Sequence, residues 1–182
     1  MIRNKKWIAL FSQTGSEIVN ISEIIEKTPD LILTNNLNKE QWHPKIHSLH
    51  YTTSNHDGVM NILRNYEKSD CFITLHGYLR IIPFDVCLTH NIFNGHPAPI
   101  DLYPELKGKD KQEDQYRLKE KYPRIGAVIH RVTPILDAGE IVISINEQNT
   151  LTSIDDSYNT LKRISLDTWT VFFSEFLQGR IN

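Results

Sequence analysis

The chain is poor in cysteine, nearly balanced in charge, and without a long apolar run. Its two cysteines, Cys71 and Cys87, stand in or beside apolar stretches with no metal-ligand spacing, and read as buried structural thiols in a reducing compartment. A formal net charge of -2 gives no reason to expect nucleic acid or an acidic membrane as partner. The one basic stretch, Lys107 to Lys121, is interleaved with Asp110, Glu113, Asp114 and Glu120, so it reads as a solvated face. No segment approaches the roughly 20 apolar residues that span a bilayer, and Met1 to Lys6 leads into too short a run for a secretion signal. A cytoplasmic protein is expected. His43, His47, His50 and His56 are irregularly spaced, with neither cysteine nor an acid pair beside them, so no metal is expected there. There is no internal repeat, low-complexity segment or linker, and the 182 residues are enough for a single domain spanning 1–182.

What is present is an alternation of short apolar runs with helical patterns. Trp7 to Phe11 reads as a strand, Ser12 to Ser16 as its polar turn, and Ile18, Ile21, Ile24 and Ile25 as one side of a helix. Leu31 to Leu33 and Leu49 to Thr52 read as further strands. Val59, Ile62 and Leu63 mark a helix ending near Lys68. Cys71 to Leu75 is apolar enough for a central strand, and Pro83 suits a helix start. Asn91 to Phe93 is a brief strand whose C-terminal edge would carry Asn94 and His96. In open α/β sheets the ligand crevice lies at such edges. A short helix around Gln112 to Lys121 follows, then two antiparallel strands, Ala127 to Val132 and Glu140 to Ile145. Ser153 caps a long amphipathic helix through Leu161, Ile164, Trp169, Phe172, Phe173 and Phe176, with Gly179 as its stop.

Asn94-Gly95-His96-Pro97 and Leu136-Asp137-Ala138-Gly139 carry the chemistry. An amide and an imidazole can hydrogen-bond an oxygen that becomes negative as a tetrahedral centre forms. A carboxylate can set the charge state of the imidazole, or accept and hand on an amine's proton. Together they are what acyl transfer to an amine needs. His130 reads as a core residue on its strand, while His76 is open between turn residue and pocket lining.

Laid out in this order, the chain resembles the formyltransferase family that includes glycinamide ribonucleotide transformylase, methionyl-tRNA formyltransferase and the sugar N-formyltransferases. Four segments carry the resemblance: Ser12-Gln13-Thr14-Gly15-Ser16, Gly77-Tyr78-Leu79-Arg80-Ile81-Ile82, Asn94-Gly95-His96-Pro97 with Tyr103-Pro104, and Gly126 to Val132 leading into Leu136 to Glu140. The resemblance implies a Rossmann-like α/β formyltransferase fold, a mostly parallel twisted sheet with flanking helices and a long C-terminal helix. It implies 10-formyltetrahydrofolate as formyl donor and a primary amine on a small molecule as acceptor. Asn94 and His96 would bind the formyl oxygen, and Asp137 would hold His96 charged and steer proton transfer. Tyr78, Leu79, Arg80, Ile81 and Ile82, with Ile135, Leu136, Ala138 and Gly139, would surround the folate. Gln13, Thr14, Gly15, Ser16, Glu17 and Lys107 would face the acceptor.

Two departures fall on the acceptor side. The family's purine enzyme grips a ribose phosphate with an uncharged turn, where this chain has Glu17. The late-helix acid of that enzyme is here Ser165. A third departure, Ala98-Pro99-Ile100-Asp101, follows the His-Pro pair. The acceptor is therefore expected to differ from glycinamide ribonucleotide, and the end of the chain after the long helix argues against tRNA. Hydrolysis of the same donor and a silent folate-binding module are the alternatives, and the oligomeric state, a dimer included, stays open.

Overall fold

Period-two burial explains the centre of the molecule. In the first strand, β1 (Lys6–Phe11), Trp7, Ala9 and Phe11 enter one apolar cluster while Ile8 and Leu10 enter another on the opposite face. A strand covered on both sides in this way belongs in the middle of a parallel sheet. The computed structural model describes residues 5–109 and 111–181, and within them seven strands form one sheet. The others are β2 (Leu31–Thr34), β3 (Tyr51–Thr53), β4 (Cys71–Leu75), β5 (Ile92–His96), β6 (Arg124–Arg131) and β7 (Ile141–Gln148). Their order is β3-β2-β1-β4-β5-β6-β7. The first five are parallel, β6 runs antiparallel to β5, and β7 runs antiparallel to β6. The chain winds from β1 outward to β3, then returns to β4 and continues the other way. That reversal opens a crevice beyond the C-terminal ends of β1 and β4.

The helices are α1 (Ser16–Ile24), α2 (His56–Leu63), α3 (Phe84–Thr89), α4 (Lys111–Arg117) and α5 (Ile154–Leu177). Helix α5 covers the face that carries Trp7, Phe72 and Phe93, through Trp169, Phe172, Phe173 and Phe176. Its Ser153 Oγ accepts from the Asp156 N–H at 3.0 Å, and Asp156 Oδ2 accepts from the Thr152 N–H at 2.8 Å. Gly179, at φ 75°, ends it in the left-handed conformation that other residues avoid. The other face is packed with Val59, Met60, Leu63 and Val86 from α2 and α3.

Several expectations needed adjustment. Strand β5 runs on through Asn94, Gly95 and His96, because those residues pair with His130, Ile129 and Val128 of β6. Helix α4 ends at Arg117 rather than around Lys121, and α2 ends at Leu63 rather than near Lys68. Two short 3-10 turns, Lys39–Gln41 and Pro44–Ser48, occupy the connection between β2 and β3. Cys71 is buried as expected, whereas Cys87 is only partly so. The basic stretch carries ion pairs from Lys111 to Asp114, Arg117 to Glu113 and Lys121 to Glu105, while Asp110 lies outside the described residues, as do Met1 to Asn4. Among the described residues no helix is long and apolar enough to cross a membrane.

Candidate active site

Alternation along β5 places Asn94 and His96 on one face and Gly95 on the other. Gly95 is needed there: a Cβ would stand 2.8 Å from the indole nitrogen of Trp169, so the α5 ring packs directly on the strand backbone. Opposite Asn94, in register, is His130 on β6, beside a register shift between Ile129 and His130. Bulges of this kind redirect a side chain next to a site.

The loop after β6 brings in the acid. Asp137 sits at φ 49°, a left-handed conformation that Asp tolerates better than most residues. The loop is pressed against the strand it leaves, since a Cβ on Gly139 would fall 1.8 Å from the Arg131 carbonyl oxygen. Asp137 Oδ2 accepts from the Gly108 N–H at 2.9 Å. The same oxygen lies 3.5 Å from His96 Nδ1, and Oδ1 lies 3.3 Å from His130 Nε2. Asn94 Nδ2 is 3.2 Å from that His130 nitrogen, and His130 Nδ1 is 2.9 Å from the Arg131 carbonyl. His96 Nε2 donates to the Leu106 carbonyl at 2.8 Å. Asn94, His96 and Asp137 are thus brought together with a fourth member, His130.

Burial governs the protonation of this cluster. Desolvation pulls His96 below the ordinary imidazole value and outweighs the Asp137 charge and the Leu106 bond, which push the other way. The imidazole is neutral at neutral pH, with its proton on Nε2 and its Nδ1 lone pair turned to Asp137. The Asp137 charge acts in the expected direction, toward the charged imidazole, and desolvation acts against it. Burial pushes Asp137 up, but the His130 contact and the Gly108 N–H overcome it, and the carboxyl stays below its usual range.

The residues expected around folate divide into two kinds. Leu79, Ile81, Ile135 and Leu136 are large, apolar and exposed, and Arg80 and Ala138 are exposed with them. Tyr78 and Ile82 are buried in the α2–α3 side of the core, which also takes in Val132 at the base of the second loop. The Tyr78 hydroxyl meets His56 Nδ1 at 3.0 Å. The Leu79 N–H donates to Ser12 Oγ at 2.9 Å, tying the folate-side loop to the polar turn after β1.

On the acceptor side, Gln13 and Thr14 are exposed, Ser16 is partly so, and Gly15 is buried at φ 72°. Glu17 turns toward the sheet, its Oε2 2.9 Å from His76 Nδ1 and its Oε1 accepting from Ser165 Oγ at 2.8 Å. Lys107 is exposed beside Gly108, outside the Asn94–Asp137 cluster. The four histidines from 43 to 56 have separate local partners: His43 accepts from the Lys45 N–H, His47 stacks on Trp42, His50 meets the Asp30 carbonyl and His56 meets Tyr78. Hollows of about 430 and 410 Å³ lie away from this chemistry, one beside Tyr116 to Lys121 and one beside Arg64, Asp85 and His90.

His130 is buried, as its strand position implies, and also meets Asn94 and Asp137. Its signal was its alternation with Val128, which puts it on the face that meets Asn94. Nothing in the sequence pointed to the Leu106 carbonyl or the Gly108 N–H, because backbone groups of a loop leave no residue signature.

Sheet order and helix placement define a Rossmann-like α/β protein of the formyltransferase fold. Among solved structures, the chain is similar to the phosphoribosylglycinamide formyltransferase of Anaplasma phagocytophilum, at TM-score 0.79 and 19% identity over 98% of this chain and 90% of that one. It is similar also to the phosphoribosylglycinamide formyltransferase of Campylobacter jejuni, at 0.77 and 20% over 94% and 96%. A formyltetrahydrofolate deformylase from Pseudomonas syringae matches at 0.74 and 17%, over 100% of this chain and 64% of that one. No protein-family model matches the sequence, and no curated protein matches it. At these identities the likeness is one of fold.

Proposed function

We propose that this protein transfers a formyl group from 10-formyltetrahydrofolate to a primary amine of a small-molecule acceptor. The observation that carries the proposal is the Asp137 carboxylate standing 3.5 Å from His96 and 3.3 Å from His130, with the Asn94 amide alongside. The exposed apolar side chains of Leu79, Ile81, Ile135 and Leu136 suit the flat faces of a pterin, so the residues present fit the donor. When bound, the donor supplies an activated formyl carbon.

The chain's own groups have these roles. Asn94 keeps an amide N–H free for the formyl oxygen, which gains negative charge as the amine adds. One such donor is worth about two to three decades in rate. His96 is the base: the Leu106 carbonyl fixes its Nε2–H tautomer, leaving Nδ1 to take the proton that the adding amine must lose. The resulting imidazolium faces the Asp137 carboxylate, which stabilises it without itself being protonated, and it would return the proton to the departing folate nitrogen as the bond from that nitrogen to the formyl carbon breaks and tetrahydrofolate leaves. A positioned base contributes roughly 10²–10⁴-fold. His130 and the Gly108 N–H hold Asp137 in place. The two cysteines agree with a reducing compartment, and we assign the activity to the cytoplasm.

The test is to incubate purified protein with 10-formyltetrahydrofolate and a panel of amines and follow tetrahydrofolate release. Release should require an amine and should fall at least a hundredfold in Asn94→Ala and His96→Ala. Unchanged turnover in both variants would contradict the assignment. Water in place of the amine is the second reading, which the fold likeness to a deformylase favours. Formate released at full rate without amine would mark it.

A further inference from the structure

Beyond the cluster around Asp137, a further set of titratable side chains links to β5. Glu17, in the first turn of α1, is about one-third exposed, while the His76 side chain that it contacts is wholly buried. His76 Nε2 lies 2.8 Å from Thr74 Oγ1, and that hydroxyl accepts from the Trp7 indole N–H at 2.7 Å. The Glu17 carboxylate only accepts, so His76 Nδ1–H donates to it, while His76 Nε2 is paired with the Thr74 hydroxyl that Trp7 also holds. The carboxylate is thereby fixed from below by a buried hydrogen-bonded chain and from the side by Ser165.

The same group reaches, from the opposite face, the strand that carries the reaction centre. The His76 ring lies 4.6 Å from the Trp169 ring, and Trp169 packs on Gly95, between Asn94 and His96. The buried Trp169 N–H has no partner in ordinary hydrogen-bond geometry, yet it faces Glu17 closely enough to favour the anion. Burial raises the Glu17 carboxyl, but His76, Ser165 and Trp169 together pull it below its ordinary value. It is a carboxylate at neutral pH.

We propose that Glu17 selects the acceptor, taking a hydroxyl or ammonium group of the amine substrate as hydrogen-bond donor and excluding a phosphate. The proposal rests on the formyl-transfer reading above for the identity of the substrate, but its chemistry is that of the carboxylate alone. A carboxylate offers about four lone-pair positions and no proton, and two of them are used here. The remaining positions accept only donors. A phosphate brought to the start of α1 would meet a fixed negative charge where a helix N-terminus otherwise favours anions. One of the turn's own donors is also engaged, as the Ser16 N–H bonds Thr14 Oγ1 at 3.2 Å.

Calorimetry with glycinamide ribonucleotide, its dephosphorylated riboside and inorganic phosphate tests this on the wild-type protein, Glu17→Gln and Glu17→Ser. Wild type should bind the riboside at least tenfold more tightly than the ribonucleotide and show no saturation with phosphate. Both variants, checked for folding by thermal unfolding, should shift that ratio at least tenfold toward the ribonucleotide. An unshifted ratio in folded variants, equal wild-type affinity for the two ligands, or no binding of either by any protein would overturn the proposal. A folate analogue titrated into the same samples separates the two readings. If it fails to bind, the formyl-transfer reading falls while the ligand ratio still reports on Glu17.

Discussion

Asp137 Oδ1 lies 3.3 Å from His130 Nε2, so the carboxylate that faces His96 is held on its other side by a second imidazole. His130 does not reach the reacting atoms in this account; it acts through Asp137. Replacing it by Asn should lower turnover about tenfold with little change in KM for the amine. Steady-state kinetics measure this, and an unchanged kcat would remove His130 from the site.

Asp137→Asn separates conformation from charge. Asn tolerates the left-handed φ of 49° and keeps an oxygen for the Gly108 N–H, so chemical unfolding should show a loss of no more than about 1–2 kcal/mol. Turnover should fall at least a hundredfold, because the His96 imidazolium loses its counter-charge. A large stability loss with preserved activity would reverse these roles.

His96 gives a pH dependence of definite sign. Its folded pKa lies below the ordinary 6.5, so the unfolded chain takes up the proton first as the solution is acidified. The stability contributed by neutral His96 is complete above that value and is lost as pH falls below it. The acid limb of kcat/KM should therefore lie below 6.5, and Asp137→Asn should move it lower still. Nitrogen NMR of the imidazole should find a neutral ring protonated on Nε2 at pH 7. An imidazolium there would return His96 to the donor role first expected of it.

Gly95→Ala tests the packing beneath the site. The added methyl meets Trp169 at 2.8 Å in a buried, close-packed region, and a cost of about 1–3 kcal/mol is expected in chemical denaturation. Activity should fall as well, since Asn94 and His96 flank the displaced backbone. A neutral effect on both would mean that Trp169 moves aside freely.

Much of this was legible in the residues. The apolar runs at Trp7 to Phe11 and Cys71 to Leu75 read as central strands because both faces are buried, and the Ser153 cap marked the start of α5. Asn94, His96 and Asp137 stood out because their side-chain chemistry is scarce and complementary. What stayed hidden depended on three-dimensional register. His130 joins the cluster only through pairing with Asn94 across β5 and β6, and the neutrality of His96 follows from burial that no local pattern encodes. The same holds for Glu17, whose partners His76 and Ser165 come from distant parts of the chain.

Transfer of a labelled formyl carbon tests the central claim most directly. With 10-formyltetrahydrofolate carrying carbon-13 in the formyl group and an amine that supports turnover, carbon NMR should find the label in a formamide on that amine. Label appearing only as formate, at a rate indifferent to the amine, would contradict transfer.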